Sequence, residues 1–71
     1  MVTIELTNIN EVFTEINNIK LKYGISWFNE YNGTIQIQFI KDGYISGKPV
    51  TYKFTSLNLL HIFSNLLSQI Q

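Results

Sequence analysis

The side chains able to do chemistry are few in this chain, and their spacing brings none of them together. His61 is the only histidine, and there is no cysteine. On a helical wheel His61 points away from a stripe of Leu59, Leu60, Phe63, Leu66, Leu67 and Ile70, beside Asn58, Asn65 and Ser68. A metal ligand or general base needs a partner three or four residues away, and only amides and hydroxyls stand there. The carboxylates Glu5, Glu11, Glu15, Glu30 and Asp42 fall on different predicted elements, and only Glu11 and Glu15 share a helix face. No serine has a His/Asp relay in reach. The run Gly43-Tyr44-Ile45-Ser46-Gly47-Lys48-Pro49 is one residue short of a phosphate loop, and Pro49 stands where the hydroxyl belongs. These residues predict no catalytic site, no metal and no cofactor, so the chain is not expected to be an enzyme.

Binding chemistry is better represented. Lys41, Lys48 and Lys53 with Tyr44 and Tyr52 make a mildly basic aromatic region, in which the lysines and Tyr44 are a candidate nucleic-acid contact. The same lysines on an edge strand would block strand-to-strand aggregation, and that structural reading is preferred. Five lysines balance five acids and arginine is absent. The general electrostatic footprint of a nucleic-acid binder is therefore missing, as is the side chain that most often clamps phosphate or reads guanine. Polarity comes instead from eight asparagines and four glutamines.

The elements that position these groups are organised around Asn32-Gly33. Asn-Gly between two β-favouring runs predicts a hairpin with a type I′ turn, because both central residues need positive φ. A two-residue loop sets Tyr31 against Thr34, Phe28 against Ile37 and Trp27 against Gln38. Alternation then sorts Phe28, Ile35, Ile37 and Phe39 onto a core face. Trp27, Asn29, Tyr31, Thr34, Gln36 and Gln38 take a wet, aromatic face. Of these, Trp27, Asn29, Tyr31, Gln36 and Gln38 are the candidate protein-binding residues, since aromatic anchors among amides with few charges resemble an interface in composition. The competing reading is a tryptophan packed beneath the N-terminal strand or a loop.

Before the hairpin, Val2, Ile4 and Leu6 alternate as a short strand. Asn8 with Glu11 then opens a helix whose apolar positions are Ile9, Val12, Phe13, Ile16, Ile19 and Tyr23, with Gly24 placed for a left-handed stop. After the hairpin, Lys41–Pro49 reads either as a second tight turn at Asp42-Gly43 or as a longer loop. Val50, Tyr52 and Phe54 alternate as the last strand, and Ser56 or Thr55 caps a second helix. From Thr55 to Gln71 no side chain is charged. Leu57 and Ile62 on the flank of its stripe, with His61 on the side opposite the stripe, are a candidate homodimer contact; deep burial of the helix is the alternative.

The expected architecture is a two-layer α+β domain over residues 1–71. A three-stranded antiparallel meander carries both helices on its Phe28/Ile37 face, in the order (β)αβββα, with the N-terminal strand as a further member left open. Helix, three strands, helix is also the order of double-stranded RNA-binding domains. Those enter the last helix through a Gly- and Lys-rich segment, where this chain has Thr55-Ser56-Leu57-Asn58-Leu59. In size, Asn/Ile/Lys-rich composition and element order over Asn8–Gln71, the chain resembles small phage-encoded inhibitor proteins, some anti-CRISPR proteins among them. That resemblance implies the blocking of a host protein by surface complementarity. Without a basic leader at Met1–Glu5 or an apolar run of membrane-spanning length, a cytoplasmic location is expected.

Overall fold

The computed structural model describes residues 2–70. Strand β1 (Val2–Leu6) is followed by helix α1 (Ile9–Lys22), strands β2 (Gly24–Tyr31), β3 (Thr34–Lys41) and β4 (Tyr44–Phe54), and helix α2 (Leu57–Ile70). The strands form one sheet in the order β1-β4-β3-β2. The expected meander is present, but the sheet has a fourth strand and is mixed. β1 pairs in parallel with β4, Val2 beside Val50 through Leu6 beside Phe54. Thr55 prolongs that seam, its amide donating to the Leu6 carbonyl and its hydroxyl to the Thr7 carbonyl, both at 3.3 Å.

Both turns form as left-handed dipeptides. Asn32 and Gly33 have φ of 51° and 76°, and Asp42 and Gly43 have 55° and 84°. The Lys41–Pro49 alternative is thereby settled as a hairpin, with β4 running from Tyr44. Pro49 is tolerated inside it because it falls in the irregular stretch between the pairs Ile37/Val50 and Phe39/Ser46, where a missing donor breaks no regular ladder.

α1 starts where expected. The Asn8 side chain accepts the Glu11 amide at 3.0 Å. The Glu11 carboxylate reaches back one residue further than a capping box requires, accepting both the amide and the hydroxyl of Thr7 at 2.6 Å. Those bonds hold the Glu11 carboxyl below its ordinary range, the Thr7 hydroxyl first and its amide second. The helix does not end on a left-handed glycine. Tyr23 is extended (φ −138°, ψ 157°) and Gly24 opens β2 directly, because the Tyr23 amide already closes the last turn on the Ile19 carbonyl at 2.9 Å. Ser56 caps α2, its hydroxyl accepting the Leu59 amide at 3.4 Å.

The core joins Val12, Ile16 and Ile19 of α1 and Leu59, Leu60, Phe63 and Leu67 of α2 to Ile35, Ile37, Phe39 and Tyr52 of the sheet. Both helices therefore lie on the expected face. Phe63 sits at its centre, with ring centroids 4.9 Å from Tyr52 and 5.3 Å from Phe54. Ile9 and Phe13 depart from their predicted stripe and are exposed, Phe13 at 48%. Phe13 stands about 100° or more round the helix from Val12 and Ile19, at the edge of the buried stripe, whereas Ile9 shares the angle of buried Ile16 but is the first residue of the helix. Burial raises the Tyr52 hydroxyl far above the usual phenol range, and the Glu15 carboxylate adds to this through its charge and a hydrogen bond.

Candidate functional site: the open sheet face

With both helices on one side, the other side of the sheet is left open. Trp27, Asn29 and Tyr31 of β2 reach it beside Gln38, Gln36 and Thr34 of β3, in the register read from the turn. Thr51 and Lys53 of β4 continue it, paired with Gln36 and Thr34. Thr3 and Glu5 of β1 complete it next to Thr51 and Lys53. Asn29, Glu30, Tyr31, Thr34, Gln36 and Thr51 line a shallow depression of about 430 Å³. The Thr34 hydroxyl donates to the Tyr31 carbonyl at 2.7 Å, tying the lip of this depression to the turn.

Four of the five candidate protein-binding residues fit an accessible surface; one does not. Tyr31 is 73% exposed, Trp27 is 36% exposed, Asn29 is exposed and Gln36 half-buried. Gln38 is only 6% exposed, which corrects its reading as a wet contact residue. The cause is irregular pairing on both sides of it. Ile37 pairs with Val50 but Phe39 with Ser46, so Gln38 alone faces Gly47, Lys48 and Pro49. On the other side Ser26 is an extra residue between the pairs Ile25/Phe39 and Trp27/Gln38. Such bulges take carbonyls out of the ladder. The Gln38 amide nitrogen supplies a donor, to the Gly47 carbonyl at 3.1 Å and the Phe39 carbonyl at 3.3 Å.

Sequence reading missed an apolar part of this face. Ile40 pairs with Ile45 across the second hairpin, and Ile45 is 60% exposed. Asp42-Gly43 taken as a tight turn would have placed that pair.

The remaining candidates do not converge. Lys41 and Tyr44 are partners at the second turn, on the helix side by register, whereas Lys53 lies on the open face next to Thr34 and Glu5. Tyr44 and Lys53 stand about 30 Å apart along β4 at ~3.3 Å per residue. Lys48 sits in the bulge between them. Leu57 and His61 are exposed on α2, but Ile62 turns toward the core and packs against it. Among the described residues no three His, Cys, Asp or Glu side chains gather as a metal site, and no helix is long and apolar enough to cross a membrane.

No family model, curated protein or solved structure matches this chain. The chemistry of the open face is that of the residues themselves. Amides and hydroxyls offer both donors and acceptors, two aromatics offer area, and Lys53 and Glu5 stand in adjacent register. Such a surface suits a partner presenting polar and aromatic groups of its own.

Proposed function

We propose that this chain is a small non-enzymatic protein-binding module that blocks its partner by covering it with the open sheet face. Tyr31 and Trp27 are the anchors, and Asn29, Gln36 and Thr34 supply hydrogen bonds around them. The single observation behind this reading is the exposure of both aromatics on a sheet face that no helix covers. The resemblance in size and composition to phage-encoded inhibitors of the anti-CRISPR type supports a host defence protein, met in the cytoplasm, as the class of partner. Gln38 is a supporting residue beneath the surface rather than a contact.

The test is capture of a partner from host lysate, followed by affinity measurement with Trp27→Ala, Tyr31→Ala and, as a control on the opposite layer, Leu57→Ala. Aromatic hot spots cost about 2 kcal/mol or more when truncated. Loss of that size at either aromatic, with Leu57→Ala unchanged, supports the surface. Binding within ~0.5 kcal/mol of wild type for both aromatic variants overturns it.

A further inference from the structure

The sheet has two margins, and they are finished differently. Among the described residues β1 is five residues long and pairs only with the second half of β4, Val50 to Phe54. The first half carries the Gly47-Lys48-Pro49 bulge, so a charge, a missing donor and an irregular backbone all oppose further pairing. β2, at the other margin, has eight residues and neither lysine nor proline; its irregularity at Ser26 lies toward one end, so Trp27–Tyr31 keeps a regular edge with Glu30 as its only charge. In a two-residue hairpin the closing pair Tyr31/Thr34 exchanges both hydrogen bonds, and every second pair does likewise. Asn29 and Trp27 therefore turn their backbone groups toward β3. Phe28 and Glu30 turn theirs outward, with no strand beyond them.

We infer that two copies of this chain join along β2, antiparallel about a two-fold axis at Asn29, into one continuous sheet. The register follows from elimination. An axis at Glu30 sets Glu30 against its own copy, a like-charge contact. An axis at Phe28 brings Glu30 against the Ser26 irregularity of the second copy. With the axis at Asn29, Phe28 faces Glu30 of the second copy twice over, and the outward groups of these residues form four backbone hydrogen bonds. On the open face, Trp27 then stands opposite Tyr31 of the second copy on both sides of a central Asn29 pair. Two exposed aromatics four residues apart on one strand become cross-strand partners. Zero net charge leaves no overall repulsion between the copies. This inference concerns the strand margin and stands apart from any heterologous partner, although the joined faces double the aromatic surface proposed above.

The absence of cysteine makes the test direct, because a single introduced thiol reports a single contact. Residues at a non-hydrogen-bonded antiparallel pair have Cα atoms about 4.5 Å apart, within disulfide reach. On mild oxidation of the purified chain, Asn29→Cys is expected to form a covalent dimer at least tenfold faster than Thr3→Cys on the β1 margin or Leu57→Cys on α2. Wild type should show a concentration-dependent dimer by sedimentation, and Glu30→Pro, which removes an outward donor and no internal bond, should weaken it. A monomer through the high-micromolar range, or Asn29→Cys crosslinking no faster than the controls, overturns the pairing. Preferential crosslinking at Leu57 overturns it in favour of a helix contact. Should Glu30→Pro fail to fold by circular dichroism, the crosslinking rates decide alone. No captured partner enters any of these measurements, so their failure is separable from failure of the proposed function.

Discussion

The side-chain amide nitrogen of Gln38 lies 3.1 Å from the carbonyl oxygen of Gly47, bridging the place where one residue of β3 faces three of β4. A glutamine on a sheet face is ordinarily a solvent residue. Here it is part of the backbone pairing, standing in for a donor that the bulge removes. Gln38→Met keeps the volume and deletes the donor, which should take the buried bond from the Phe39 carbonyl and the bridge from the Gly47 carbonyl. The expected cost is about 1–3 kcal/mol in denaturant unfolding. Gln36→Met, on the same face but half-buried, should stay within about 0.5 kcal/mol.

Gly33 and Gly43 hold φ of 76° and 84°, and an added Cβ at either meets nothing within 4 Å. Any loss on substitution is therefore backbone strain alone. Gly33→Ala and Gly43→Ala should each destabilise by about 1–2 kcal/mol. Gly24→Ala serves as control. Its φ is not left-handed and its Cβ would sit at ordinary contact distance, 3.9 Å from the Ile40 carbonyl. Thermal melts of the three variants should separate the two turns from Gly24.

Phe63 is fully buried between Tyr52 and Phe54. Phe63→Ala should cost about 3–5 kcal/mol. A domain of this size has only about 4–10 kcal/mol to lose, so the variant should be largely unfolded or highly sensitive to denaturant. Leu57→Ala, 65% exposed on the same helix, should be near neutral by the same assay.

Glu11 and Tyr52 make stability depend on pH at opposite ends of the scale. The Glu11 carboxyl is depressed by Thr7, so its contribution is present above the unfolded carboxylate pKa of ~4.3 and is lost as pH falls through the lower folded value. Glu11→Gln should flatten the acid limb of stability, measured by unfolding at a series of pH values.

Tyr52 runs the other way. Its hydroxyl is raised by burial and by Glu15, so its contribution is intact below the unfolded phenol pKa of ~10 and declines as pH climbs above that toward the folded value. Tyr52→Phe should shift alkaline unfolding to higher pH, followed by the absorbance of tyrosinate together with circular dichroism.

Much of the architecture was written locally. Asn32-Gly33 needs positive φ, and that requirement alone set Trp27 against Gln38 and Phe28 against Ile37, because a two-residue loop admits one register. Val12, Ile16 and Ile19, and Leu59, Leu60, Phe63 and Leu67, declared the buried sides of both helices through their spacing. The open face carrying Trp27, Asn29, Tyr31 and Gln36 followed from the same alternation.

Three features belonged to the tertiary structure. The partner of β1 is β4, a strand far along the chain that no local turn connects to it, so parallel pairing at Val2–Leu6 had no sequence signature. The burial of Gln38 arises from irregular pairing with two different neighbours, and alternation counts residues along one strand without seeing a misfit across two. Phe13 counted into the stripe by its three-to-four spacing yet stands exposed, because it lies at the stripe's edge and spacing alone does not say how wide a strip the neighbouring layer covers. Turns and stripes are set by neighbours a few residues away, whereas pairing partners and coverage depend on segments that meet only when the whole chain has closed.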